Sequence, residues 1–170
     1  ADETAVALTV ASYMAVLGGA FADYDSAYSA LKQKITSGQA LNNLKELIKI
    51  QGGNPDIVDN PDMLPQAEYH IEVKSPNKGY VQSINAENIG ISAMLLGAGR
   101  KTKEDSIDFS AGITMLKKVG DQVNKDDTLC VLHTNLQEHD AAERVALKAF
   151  AINESKPQTV TEETVLAVIS

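Results

Sequence analysis

The single cysteine, Cys130, sits in the run Leu129-Cys130-Val131-Leu132. A nucleophilic thiol needs access and a lowered pKa, and apolar neighbours on a strand supply neither. Cys130 therefore reads as a packed core residue. One cysteine also excludes an internal disulfide framework and any Cys-x-x-Cys redox or zinc motif. His133, His139 and Asp140 are of metal-ligating types, but their spacing places them on a strand end and the loop after it, without a second cluster to complete a shell. They read as solvent-facing or capping groups, and His70 as the polar face of an alternating strand. Gly97-Ala98-Gly99-Arg100-Lys101-Thr102 has the look of a phosphate cradle, because glycines let backbone amides approach an anion. It departs from that pattern twice: Arg100 stands where a P-loop has glycine, and the stretch follows a helix where phosphate fingerprints follow a strand. The expected role of the Gly97-Arg100 loop is a glycine helix cap leading into a charged loop. The run Arg100, Lys101, Lys103, Glu104, Asp105 mixes both signs and reads as a solvated surface or a seam against a neighbouring domain.

These residues are carried by a chain of 170 with 44% apolar content, enough to build a core. A formal charge of −8 repels a phosphate backbone, so nucleic acid is not an expected partner. Residues 4–22 carry no charge and are long enough to span a bilayer. Their alanine content, the polar Thr4, Thr9 and Ser12, and the Gly18-Gly19 interruption suit a buried helix better than lipid, and no basic flank sets an orientation. No membrane partner is expected, and a reducing cytoplasm fits the cysteine usage. The start, Ala1-Asp2-Glu3, looks like a cut inside a longer chain.

Helical periodicity places Val6, Val10, Tyr13, Met14, Leu17 and Phe21 on one face of a first helix. A second helix opens at Asp23 or Asp25, carries Ala27, Leu31 and Ile35 on one stripe and stops at Gly38. A third places Leu41, Leu44, Leu47 and Ile48 on one side and ends at Gly52-Gly53. Residues 54–65, with prolines at 55, 61 and 65, read as a linker without regular structure. The period then changes to alternation: Tyr69, Ile71 and Val73 lie on one face of a strand, and residues 80–84 return as its partner after the turn Pro76-Asn77-Lys78-Gly79. A helix follows over residues 89–96. Strands over 113–116 and 128–133 flank a turn-rich stretch, and residues 140–150 form a helix with Ala142, Val145, Ala149 and Phe150 inward. The last ten residues hold one short element of open type.

Three strings together resemble a known family. The first runs from Ser37-Gly38-Gln39-Ala40-Leu41 through Gln51-Gly52-Gly53-Asn54-Pro55 to Leu64-Pro65-Gln66-Ala67. The second holds Gly79-Tyr80-Val81, Ile89-Gly90, Ala93-Met94-Leu95-Leu96-Gly97-Ala98-Gly99-Arg100, Thr102-Lys103-Glu104-Asp105 and Ile107-Asp108. The third holds Gly112-Ile113, Lys117-Lys118-Val119-Gly120-Asp121-Gln122-Val123 and His133-Thr134-Asn135. In this order they resemble the carboxy-terminal region of pyrimidine-nucleoside and thymidine phosphorylases.

The resemblance implies a homodimeric parent that exchanges phosphate for the base of a pyrimidine nucleoside, giving free base and a pentose 1-phosphate. It implies an α+β chain. Residues 1–64 would be the closing helices of the central α/β domain plus a linker, and 65–170 a carboxy-terminal domain of the hammerhead type that supports the catalytic domain. In this family the phosphate loop and the Arg, Ser and Lys that hold the pyrimidine precede such a region. No catalytic, substrate-binding, cofactor-binding or metal residue is therefore assigned, no cofactor is expected in this fragment, and the fragment alone is expected to be inactive. Its expected partners are the missing amino-terminal and α/β domains, with self-association through residues 4–22 as a second possibility.

The competing reading from another class is a swinging-arm carrier, since Lys117-Lys118-Val119-Gly120-Asp121-Gln122-Val123 and Asp127-Thr128-Leu129 resemble lipoyl and biotinyl domains. Those domains need an exposed hairpin lysine, and His133-Thr134-Asn135-Leu136 stands in its place, with no lysine before Lys148. A pure interaction module rests only on the apolar first helix.

Overall fold

A computed structural model describes residues 2–100, 102–157 and 167. They form two compact units that divide between Met63 and Leu64.

The first unit is helical, with α1 (Asp2–Leu17), α2 (Tyr24–Thr36) and α3 (Gln39–Ile50). Gly18 and Gly19 end α1, Gly19 adopting a left-handed φ of 72°, so Phe21 lies beyond the helix. The Asp23 side chain caps α2 by accepting from the Ser26 amide at 2.9 Å. Gly38, at a φ of 77°, closes α2 and leads directly into α3. Helices α1 and α2 meet through Tyr24, whose ring lies 4.8 Å from that of Tyr13 and whose hydroxyl donates to Thr9 at 3.3 Å; Leu8 and Ser12 of α1 and Ala27 of α2 are buried. The stripe singled out by spacing is thus split: Tyr13 turns to Tyr24 of α2, while Val10, Met14 and Leu17 face outward, the last two exposed at 67% and 87%. Such a helix is apolar on every side, so spacing alone does not choose the buried face. Helix α3 buries none of its residues in this chain. Residues 54–65 are not structureless: Pro55–Val58 and Pro61–Met63 each form a 3-10 turn. The Asn54 side chain caps the first turn, and Lys45 of α3 bridges to Asp59 at 2.6 Å. Proline at the first position of a turn lacks only an amide that had no partner there, which is why it initiates these turns rather than preventing them.

The second unit is α+β. Its strands are β1 (Tyr69–Lys74), β2 (Gly79–Ile84), β3 (Gly112–Met115), β4 (Gln122–Val123), β5 (Thr128–Thr134) and β6 (Phe150–Asn153), with helices α4 (Ala86–Ala93) and α5 (Asp140–Ala149). Two antiparallel three-stranded sheets result, ordered β1-β5-β3 and β4-β2-β6. Strands β1 and β2 are therefore not partners. Buried Ser75, between them, is clasped by the turn before β5: its amide donates to Asp127 O and its carbonyl accepts from Asp126 N, both at 2.8 Å. That clasp sends the chain into the second sheet, where Gly79 opens β2. Alternation identified both strands but carries no information about which neighbour each takes. Strands β4 and β6 were not expected. The first is only two residues long, and the second begins at Phe150, where the α5 periodicity runs on without a glycine or proline to stop it.

Val73, Val81, Val123, Leu129, Cys130 and Leu132 from both sheets build one core with Leu96 and Phe150. Helix α5 closes it with Ala142, Ala146 and Ala149, three small residues on one face. Helix α4 starts three residues before the expected Ile89, because Asn85 caps it by accepting from the Asn88 amide. It runs into a π turn over Met94–Ala98, where Gly97 takes a φ of 104°. The expected element of the last ten residues falls outside the described residues, Ala167 excepted.

Candidate functional site

Cys130 is fully buried on β5, opposite Val73 and Met115, and burial pushes its thiol up to about 11. A neutral thiol in that setting packs as a small apolar group. The Gly97-Arg100 stretch follows α4 and its π turn, and the Gly97 carbonyl accepts from the Asp108 amide at 2.9 Å. Thr102 then turns on Asp105, donating to it from both amide and hydroxyl at 3.0 Å. Asp108 accepts from the Ser110 hydroxyl and amide and from Asn135 Nδ2, contacts that lower its pKa, the Ser110 bonds most. Asn135 in turn accepts from the Glu68 amide at 2.8 Å. The loop is thereby tied to the start of β1 and the end of β5. Lys101 lies outside the described residues.

The structure does not gather His133, His139 and Asp140 as one group. His133 instead faces His70, its register partner across β1 and β5, with the two Nδ1 atoms 2.7 Å apart. Its Nε2 is bonded to the Thr114 hydroxyl of β3 at 2.8 Å. Burial, and then the charge of His70, lowers the pKa of His133. His139 precedes α5 but makes no side-chain cap, so the capping role does not apply to it. Its Nδ1 is buried without a hydrogen-bond partner among the described residues. The His70 and His133 pairing was not read from the sequence, since sixty-three residues separate them and only β1–β5 register brings them together.

Open clefts occur on the second unit. One is lined by Leu95, Leu136, Gln137, Glu138, Ala141 and Ala142. Another includes Met94, Gly97, Glu104, Asp105 and Ser106. Among the described residues these two present carboxylates and no cation, which opposes binding of a phosphate dianion there, whereas a third, lined by Lys78, Gly79, Tyr80, Gln122 and Glu154, sets one lysine beside one carboxylate.

Against known proteins, the family model described as the pyrimidine nucleoside phosphorylase C-terminal domain matches residues 80–153. Pyrimidine-nucleoside phosphorylases of Staphylococcus aureus strains USA300 and NCTC 8325 are each 43% identical over 139 residues, covering 82% of this chain and 32% of the relative. Residues 80–153 are a C-terminal domain of the pyrimidine nucleoside phosphorylase family. The chain spans about a third of the length of the curated relatives it matches. Within the phosphorylase domain, residues 80–153 run from β2 to the end of β6, so the matched segment contains both members of the β2–β6 pair. The carrier reading is not favoured: the phosphorylase match covers the stretch that suggested it, and β5 leads into a bend before α5 rather than a hairpin bearing a lysine. Among the described residues no helix is long and apolar enough to cross a membrane.

Proposed function

We propose that the chain is the structural carboxy-terminal part of an enzyme exchanging phosphate for the base of a pyrimidine nucleoside, and that alone it is inactive. The observation that carries this is 43% identity over 82% of the chain to relatives of which it spans 32%. In this reading residues 1–64 are the closing helices and linker of the catalytic α/β domain, and 65–170 form a hammerhead-type domain that supports it. The parent is a cytoplasmic homodimer, with thymidine or uridine and phosphate as substrates. Phosphorolysis needs a positioned phosphate and donors converging on the leaving base; among the described residues two of the clefts present carboxylates without a cation, and the one holding Lys78 pairs it with Glu154. The uncovered faces of α1 and α3 fit a catalytic domain that packs against them, and self-association through residues 4–22 is the expected substitute when that domain is missing.

The test is release of thymine or uracil from thymidine or uridine with phosphate, followed by chromatography, for the 170-residue chain and for the product of its whole reading frame. The expected result is activity in the second only. Base release proportional to the concentration of the chain would overturn its inactivity, and an inactive whole product would overturn the parent reaction.

A further inference from the structure

The His70 and His133 rings meet edge to face, with centroids 4.9 Å apart and planes at 79°. Their Nδ1 atoms lie 2.7 Å apart. Thr114 holds His133 from behind through Nε2, as an outer hydrogen bond holds the ring of a metal-ligating histidine in place. Where Nε2 donates to the Thr114 hydroxyl, Nδ1 of His133 is the unprotonated nitrogen and lies beside Nδ1 of His70. His70 then meets it with a proton or with a lone pair of its own, and two lone pairs on nitrogens 2.7 Å apart can share one cation. Glu72 and Lys74, on the same face of β1, are bonded to each other, and Thr128 bonds to both. They leave the histidines as the donors.

We propose that His70 and His133 form a two-histidine clamp for a divalent transition cation of tetragonal preference, Ni²⁺ or Cu²⁺, with water in the remaining positions. Imidazole is a favoured ligand of these ions. Two nitrogens each about 2.0–2.1 Å from an ion and at right angles lie about 2.9 Å apart, within a few tenths of an ångström of the present spacing. Because each ring comes from a different strand, the ion would also cross-link β1 to β5.

Ni²⁺ alone is the probe, added at neutral pH to the intact chain and to His70→Asn, His133→Asn and His139→Asn variants, with calorimetry for affinity and imidazole ¹H–¹⁵N spectra for location. Wild type should take up one Ni²⁺ per chain and broaden the His70 and His133 ring signals together. Either clamp substitution should weaken binding at least tenfold, and His139→Asn should leave it unchanged. The wild-type spectra keep the test valid if a variant unfolds. No uptake at submillimolar Ni²⁺, broadening confined to other residues, or a folded clamp variant that binds as tightly as wild type would overturn the proposal.

Discussion

The buried hydroxyl of Thr134 donates to the carbonyl of Leu96 at 2.8 Å and accepts from the Leu136 amide at 3.1 Å. One side chain on β5 thus serves a carbonyl that the α4 π turn leaves open at its end. Removing it strands the carbonyl of buried Leu96 and takes a partner from the part-buried Leu136 amide. Thr134→Val, nearly isosteric, is expected to lower unfolding free energy by about 1–3 kcal/mol, and Thr134→Ser to recover most of that. Urea unfolding of the three proteins checks it.

Gly79 is buried where β2 faces β6, and a Cβ there would collide with the backbone carbonyl of Asn153. Backbone cannot swing aside as a side chain can. Gly79→Ala is therefore expected to cost roughly 1–3 kcal/mol, as overpacking does, and to loosen the β2–β6 pair first. Amide exchange at Tyr80 and Asn153, partners in that register, should accelerate relative to amides of β1 and β5.

The Cys130 thiol, at about 11 and fully buried, should resist alkylation. Iodoacetamide at about pH 8 is expected to label it orders of magnitude more slowly in the folded chain than in urea, since the thiolate is the reacting species. Equal rates in the two states would show that the strand is not packed as described.

His133 has a folded pKa below its ordinary value. As pH falls, the unfolded chain takes up that proton first. The folded state is unpenalised above about pH 6.5 and loses stability from there down to the folded pKa. Comparing wild type with His133→Asn, the loss of stability between about pH 7.5 and pH 5 should be larger in wild type. Equal losses would remove His133 as the cause.

Val10, Met14 and Leu17 are more than half exposed on one side of α1. Covering each contributes roughly 1.5–3 kcal/mol before ordering costs, so copies of the chain are expected to associate through this face. Sedimentation equilibrium should show oligomers for wild type and a shift towards monomer for Val10→Ser with Leu17→Ser. A wild type that is monomeric at all concentrations would refute it.

Much of this protein is local in its sequence. Asp23 and Gly38 mark the ends of α2 because an acceptor at an amino cap and a left-handed glycine at a carboxy end satisfy backbone groups within a few residues. The alternation of Tyr69, Ile71 and Val73 and the apolar neighbours of Cys130 likewise identify strands without reference to the rest of the chain. The three strings of motif residues carried the family. What depended on distant partners was not legible. Strand pairing was decided by the Ser75 clasp, and β6 exists because β2 offers an edge to residues that periodicity alone continues as helix. On α1 the contacts of Thr9 and Tyr13 with Tyr24 of α2 fixed the side that packs, since an all-round apolar helix has no preferred face of its own. The His70–His133 contact depends on the register of two strands far apart in the chain, and a one-residue slip would carry the rings to opposite faces of the sheet.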